Sequence, residues 1–403
     1  MNVRLEFKDC IFCSGKFLRI SVLILFWLLA FCNLGSAPYK PKSDDEVLQA
    51  TVQTRVLRAK GVLRTPPPAS LEEALIKVRS SLEEAQRNFD PRFIAYADNL
   101  LDVWKQVGEE NASYWVALGM VHQSRHEFER SLVDLDKALR LRPKDPQALI
   151  TRTIVLQVLG RFKEAKLCCF KLNGLASPLY VSATAANLAS LTGQGSVAIH
   201  ALESILDRDA QKAGKDELLW AYTSAAEIYT RLNQMALAED AFLKALKILP
   251  EDAYTIGAYS DLLLRMGRFA EAVQLLHDHQ MVDGLFLRYV IAQKKLESPG
   301  YKSEAVLLES RLKSSLVMNP TGHLREYARF LLDVKNEPES ALEAALRNWE
   351  VQKEPADADL LLSSAIASNR PEKAHATALF AREMSIPDLD AKAAIILKNA
   401  HVQ

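Results

Sequence analysis

The feature of this sequence that most constrains its fold is a pair of small residues that recurs along a helical pattern. Between Tyr114 and Pro143, Gly119 is followed twelve residues later by Ser131. The same separation recurs in four later pairs, which are Thr153 and Ala165, Ala186 and Ala198, Ala226 and Ala238, and Ser260 and Ala272. Successive pairs lie 34, 33, 40 and 34 residues apart. A period this constant indicates one structural unit that is repeated five times.

Each unit reads as two helices that pack closely together. A small residue at both places lets the two helix backbones approach, while larger apolar residues such as Leu118 and Leu135 fill the surrounding space. No alternating apolar run indicates a strand. Near the middle of four units stands a residue type that ends a helix in the left-handed conformation, namely Gly160, Gly193, Asn233 and Gly267. The sequence therefore predicts an all-α fold of stacked helix pairs.

This pattern resembles the tetratricopeptide repeat (TPR), whose period is 34 residues. The resemblance implies a right-handed solenoid of about eight helix pairs that ends in a single C-terminal capping helix. It assigns a degenerate first pair to residues 70–111, five clear units to 112–281, and divergent units with the capping helix to 282–403. The stretch from Asn348 to Leu362 is also similar to exported bacterial TPR proteins of unassigned activity.

Residues 1–37 are predicted to be a signal peptide. The run from Ile20 to Cys32 is apolar except for Ser21, and small residues follow it. It is shorter than the roughly 20 residues of a membrane-spanning helix, but it suits a signal-peptide core of about 7–15 residues. We therefore predict an exported, periplasmic protein, with an uncleaved membrane anchor as the alternative. Residues 38–69 are polar, end in "RTPPPAS" and are predicted to form an extended arm.

Charge and cysteine content argue against several classes of protein. Fifty basic residues balance fifty acidic ones, so the chain as a whole has no attraction to nucleic acid or to an anionic membrane. The five cysteines do not form a disulfide framework. The adjacent Cys168 and Cys169 are interpreted as packing residues on a second helix, with their redox state left open. The oligomeric state is also left open.

No motif indicates catalysis, a cofactor or a metal. His277 and His279 alternate along a predicted helix and therefore do not share a face. His122 and His126 are interpreted as structural. The glycines of Thr192–Ser196 follow no strand and lack a third glycine, so a turn is favoured over a phosphate-binding loop. The sequence predicts a protein that is not an enzyme and that needs no cofactor.

The remaining candidate site is the concave groove that the first helices line in a TPR stack. By the register of the repeat, the predicted partner-binding residues are Met120, Gln123, Tyr180, Asn187, Trp220, Glu227, Arg231, Tyr254, Asp261 and Arg265. Aromatic and arginine side chains are frequent in binding hot spots, and this mixture suits an extended acidic or amphipathic peptide, or a helix, of a partner protein. The predicted function is a non-catalytic protein-binding scaffold in the cell envelope.

Other interpretations stay open. One TPR subtype binds carboxylate-ended peptides through Lys and Asn at positions where this chain has Val116 and Met120, so that activity is not predicted. A structural component of an envelope complex would use the convex face or the N-terminal arm and leave the groove empty. A metal-handling or enzymatic protein would need ionisable side chains that converge in the groove.

Overall fold

A computed structural model describes residues 68–88 and 91–400 of the chain. These residues form α-helices joined by short turns, with no strand in the described ranges. The predicted signal peptide at 1–37 and nearly all of the predicted arm at 38–69 lie outside the described residues. None of the helices in the described part is long and apolar enough to span a bilayer.

The N-terminal part of the described chain holds a first helix pair, a short helix and the units of clear repeat pattern. The helices are α1 (Leu71–Asn88), α2 (Pro91–Val103), α3 (Lys105–Gly108), α4 (Ala112–Ser124), α5 (Phe128–Leu141), α6 (Pro146–Val158), α7 (Phe162–Lys171), α8 (Pro178–Ser190), α9 (Gly195–Asp209), α10 (Lys215–Arg231), α11 (Met235–Ile248), α12 (Ala253–Arg265) and α13 (Phe269–Leu276).

The divergent C-terminal part continues the helix pairs. Its helices are α14 (Asp283–Lys295), α15 (Tyr301–Met318), α16 (Leu324–Arg329), α17 (Pro338–Val351), α18 (Pro355–Ala367), α19 (His375–Met384) and α20 (Pro387–Ala400). Helix α16 passes directly into a π-helical segment at Phe330–Lys335. The described residues thus form nine pairs and a final single helix, one pair more than the approximate number that the sequence predicts. The extra pair falls where the small-residue spacing fades.

Local sequence explains where the first helices begin. The Asn111 side chain caps α4 by accepting hydrogen bonds from the backbone N–H groups of Ser113 and Tyr114, at 2.9 and 3.2 Å. Asp145 and Asp252 cap α6 and α12 in the same way. Such caps satisfy N–H groups that have no partner within the helix. Each first helix therefore starts at a fixed place in its unit.

The turn between the two helices of a unit uses one left-handed residue. The residues at this place are His126, Gly160, Gly193, Asn233 and Gly267, with φ between 62° and 76°. The predicted helix ends at Gly and Asn are confirmed. His126 adopts the same conformation, although histidine lacks the freedom of glycine there.

The small residues lie where the helices of a pair cross. The Ser131 hydroxyl donates a 2.7 Å hydrogen bond to the carbonyl of Gly119, and a methyl group on Gly119 would lie 2.9 Å from Leu135 Cγ. The equivalent Ala165, Ala198, Ala238 and Ala272 are all buried. The predicted close approach of the helices is confirmed, because no larger side chain fits between these backbones.

The C-terminal pairs return to contact the turns of the second, third and fourth pairs. We call this contact the closure interface. It joins the turn residues His126, Gly160 and Gly193 to the segment from α16 to α20, and its clearest hydrogen bond runs from the Lys353 N–H to the Val158 carbonyl at 2.7 Å. The stack is therefore not open along its whole length.

Aromatic rings fill the middle of the closure interface. The Phe380 ring of α19 lies 5.8 Å from Phe162 at the start of α7 and 5.4 Å edge-on from Trp349 of α17. Farther along, a methyl group on Gly193 would lie 3.2 Å from Ser385 Cβ. Aromatic pairs at such distances stabilise a contact beyond the apolar area that they bury.

Candidate partner-binding groove

The first helices α4, α6, α8, α10 and α12 carry the predicted groove residues. The structure divides these residues into two groups. Met120 and Gln123 line a recess at the N-terminal end of the stack. Most of the others interact with one another or with the C-terminal pairs, as the hydrogen bonds described below show.

The N-terminal recess has a volume of about 270 Å³. Besides Met120 and Gln123 it is lined by Arg79 and Glu83 of α1 and by Gln147 of α6. Within the described residues, the side chains of Arg79, Glu83 and Gln123 have no hydrogen-bond or ion-pair partner. The recess therefore offers a cation, a carboxylate and an amide next to the apolar Met120.

Two predicted aromatic residues form a stacked pair. The rings of Tyr180 and Trp220 lie 5.8 Å apart with planes 19° from parallel. Trp220 Nε1 also donates to Thr184 Oγ1 at 3.2 Å, which ties α10 to α8. Burial raises the pKa of Tyr180 to about 12. Trp220 thus neighbours Tyr180, and not Tyr254 as the register alone suggests.

Four predicted polar residues form one hydrogen-bonded row across three units. Arg231 of α10 donates to Asn187 Oδ1 of α8 at 2.7 Å and to Glu227 at 3.0 Å. The hydroxyl of Tyr254 in α12 donates to the other oxygen of Glu227 at 2.5 Å. Glu227, followed by burial, raises the pKa of Tyr254 well above its usual value. Tyr254 remains 58% exposed, so it is the accessible member of the row.

Asp261 and Arg265 reach toward the C-terminal pairs. Asp261 accepts from Arg288 of α14 at 2.6 Å and from Arg329 of α16 at 2.7 Å. Burial would raise the pKa of Asp261, but the two arginines outweigh it and the pKa lies below its usual range. Arg265 pairs with Asp388 of α20 at 2.5 Å. The predicted basic row of arginines is therefore neutralised by carboxylates.

Sequence reasoning missed several residues of these networks. Arg288 lies 34 residues after Tyr254, so continuing the count by one repeat would have found it. Arg329 and Asp388 belong to distant helices, and no local pattern connects them with Asp261 or Arg265. Only the return of the C-terminal pairs brings them close.

The other residues that the sequence singled out lie apart from the groove networks. His277 and His279 form a 3₁₀ turn after α13, and His122 Nδ1 lies 2.6 Å from Asp134 Oδ2. No group of three or more His, Cys, Asp or Glu residues in the described ranges has the arrangement of a metal site. Cys168 and Cys169 are buried free thiols, and burial raises the pKa of Cys169 to about 11. A thiol with such a pKa is a poor nucleophile at neutral pH.

Comparison with known proteins identifies one repeat directly. The profile of the tetratricopeptide repeat family matches residues 221–252, which hold most of α10 and all of α11. A solved structure described as the APC/C hetero-tetramer Cut9-Hcn1 is similar, with a TM-score of 0.41 and 13% identity over 86% of this chain and 88% of that one. No curated protein matches the chain.

Proposed function

Since the chain is a tetratricopeptide repeat protein, we propose that it is a non-catalytic scaffold that binds a segment of a partner protein in its concave groove. Proteins of this repeat family generally mediate contacts between proteins. The occupant proposed here is an extended peptide or a helix, and the protein is proposed to act after export to the periplasm.

The observation that carries this proposal is the N-terminal recess. An extended peptide needs partners for its own N–H and C=O groups, and the amides of Gln123 and Gln147 offer both donors and acceptors. Arg79 can pair with an acidic side chain, while Met120 adapts to an apolar one. Because Arg79, Glu83 and Gln123 have no partner among the described residues, a ligand gains their interactions without breaking existing ones.

The rest of the groove is expected to contribute less. Arg231 and Asp261 already make hydrogen bonds or ion pairs, so a ligand must replace partners that are in place. Such an exchange leaves little net free energy. Tyr254 is the exception, since its ring is exposed and can contact an apolar side chain. The proposed binding path therefore starts in the recess and continues toward Tyr254.

A site-specific photo-crosslinker tests the groove in the native host. Placed at Gln123, it is expected to capture one protein, and Arg79→Glu is expected to abolish that capture without changing the melting temperature. Placed at the exposed Lys302 of α15, the same crosslinker serves as the control. Equal capture from both positions, or capture that Arg79→Glu leaves unchanged, would contradict the groove proposal.

Export has its own test. Small residues after the apolar run motivate cleavage near Gly35–Ala37. N-terminal sequencing of the protein from the envelope fraction is expected to begin there. An intact Met1 on a membrane-retained protein would instead support the anchor.

A further inference from the structure

A second exposed surface lies on the convex side, on the second helices of two neighbouring pairs. We call it the convex patch and define it by Val133 and Arg140 of α5 with Leu167, Phe170 and Lys171 of α7. We propose that the convex patch is a docking site, separate from the groove, for an acidic amphipathic helix of a partner protein.

The apolar part of the convex patch is strongly exposed. Val133, Leu167 and Phe170 are 54%, 66% and 74% exposed. Val133 and Leu167 occupy the same place in consecutive units, and Phe170 follows Leu167 by one helical turn. The three side chains therefore form a strip across two adjacent helices. Grouped apolar exposure of this kind marks interaction sites more often than single exposed residues do.

A recess of about 300 Å³ adjoins this strip. Its walls come from α5 and α7, and Leu149 and Arg152 of α6 belong to its lining. Arg152 holds the recess in shape, since it donates to Asp136 of α5 at 2.9 Å and to the Cys168 sulfur of α7 at 2.8 Å. A preformed recess can take a side chain of the partner with little ordering cost.

Charge identifies the occupant. Arg140 and Lys171 line the recess, both are exposed, and neither has an ion-pair partner among the described residues. The one carboxylate in the recess, Asp136, is neutralised by Arg152. Two free cations beside an apolar strip match a helix with apolar residues on one side and carboxylates on its flanks. A flat lipid surface would not fill the recess, which favours a protein segment.

The chain supplies its own matched control on α11. Leu243, Lys244 and Lys247 stand at the places of Phe170, Lys171 and Arg140 in the fourth clear unit. There, however, Asp240 replaces the apolar Leu167 and pairs with Lys244 at 2.7 Å. The α11 surface thus has similar residue types without the continuous apolar strip or the second free cation.

A synthetic helix provides the probe. A fluorescein-labelled 18-residue peptide with Leu and Phe on one face and Glu on the other is titrated with the full chain and followed by anisotropy. Arg140→Glu with Lys171→Glu, and separately Phe170→Ser, are each expected to weaken binding at least tenfold with unchanged melting curves. The matched Leu243→Ser with Lys247→Glu, and the groove variant Arg79→Glu, are expected to leave binding within twofold.

Four results would overturn the proposal. Equal binding of a peptide with Lys in place of Glu would remove the charge argument, and equal weakening by the α11 variant would remove the location. Tighter, patch-dependent binding to phosphatidylglycerol vesicles would assign the patch to a membrane. Self-association lost in Arg140→Glu with Lys171→Glu would assign it to a second copy of this chain. Since Arg79 lies in the groove recess, its variant separates this proposal from the proposed groove function.

Discussion

Gly160 and Gly267 occupy the same place in their units and adopt the same backbone conformation, with φ of 71° and 72°. Their surroundings differ. A methyl group on Gly160 would lie 2.8 Å from Phe380 Cζ and 3.3 Å from Lys353 Cβ, whereas nothing lies within 4 Å of one on Gly267. The first turn is part of the closure interface, and the second faces open space.

This difference shows that one local requirement serves two tertiary roles. Both turns need a left-handed residue because the first helix must end and reverse there. Only the turns of the second to fourth pairs also receive the C-terminal helices. The same segment that covers Gly160 and Gly193 provides Arg329 and Asp388, which pair with predicted groove residues. Closure and the state of the groove are therefore linked through shared helices.

A cross-link is expected to give the largest difference between the two kinds of turn. Cβ atoms at positions 193 and 385 would lie 3.2 Å apart, slightly less than the roughly 3.5–4.5 Å found across disulfides. Gly193→Cys with Ser385→Cys is expected to form a bridge on mild oxidation, visible on a non-reducing gel and assigned by peptide mass spectrometry. Gly267→Cys with Ser385→Cys is the control. A bridge in the control alone, or in neither protein, would show that the closure interface does not form in solution.

The next largest effect is expected at the C-terminal side of the closure interface. Asp357 is 1% exposed and accepts hydrogen bonds from Arg325 at 2.5 and 2.8 Å. Asp357→Ala leaves Arg325 without its buried partner and should cost about 3–5 kcal/mol of unfolding free energy. The nearby Asp359 pairs with Lys392 at a half-exposed site, so Asp359→Ala should cost less than about 1 kcal/mol. Urea unfolding measures both, and similar losses would mean that Arg325 and Asp357 are not buried together.

Alanine at the two glycines compares the turns directly. Gly267→Ala should cost about 1–2 kcal/mol, because alanine is strained in the left-handed region. Gly160→Ala should cost about 1 kcal/mol or more beyond that, since its methyl group must displace the packed Phe380 ring. Thermal or urea unfolding of the two variants provides the measurement. Equal losses would indicate that Phe380 does not pack on the third turn.

The smallest expected effect is a pH dependence at the second turn. His126 Nδ1 is buried without a hydrogen-bond partner, and burial lowers the pKa of His126 despite the opposing charge of Glu326. His323 and Arg325 lower it further, while Glu354 opposes them. Below the ordinary histidine pKa of 6.5, the unfolded chain takes up a proton that the folded chain does not. Stability is therefore expected to fall as pH falls through this range.

His126→Gly tests that dependence, because glycine suits the left-handed turn. Melting temperatures are compared at about pH 7.5 and 5.5, a range that brackets histidine titration. The variant should lose less stability on acidification than the parent, while the exposed control His200→Ala should follow the parent. A parent and His126→Gly variant with the same pH dependence would remove the buried, unprotonated histidine from the account.

The sequence alone determined the helix pairs, because their causes are local or periodic. Gly119 and Ser131 lie at the helix crossing, Asn111 caps α4, and Gly160 and Gly193 end first helices, each at a place that spacing and residue type indicate. The register also placed Tyr180, Asn187, Trp220, Glu227 and Arg231 on neighbouring first helices, where the structure connects them. Close packing needs small residues at fixed intervals, so the requirement is written along the chain.

The tertiary structure decided which of these surfaces stay open. Whether Asp261 and Arg265 face a partner or an ion pair depends on Arg329 and Asp388, which lie 68 and 123 residues farther along the chain. The small change of direction from each helix pair to the next adds up over the whole stack, and no single unit encodes the sum. Contacts at such separation follow from that accumulated curvature. A repeat pattern, which describes one unit and its neighbours, does not contain it.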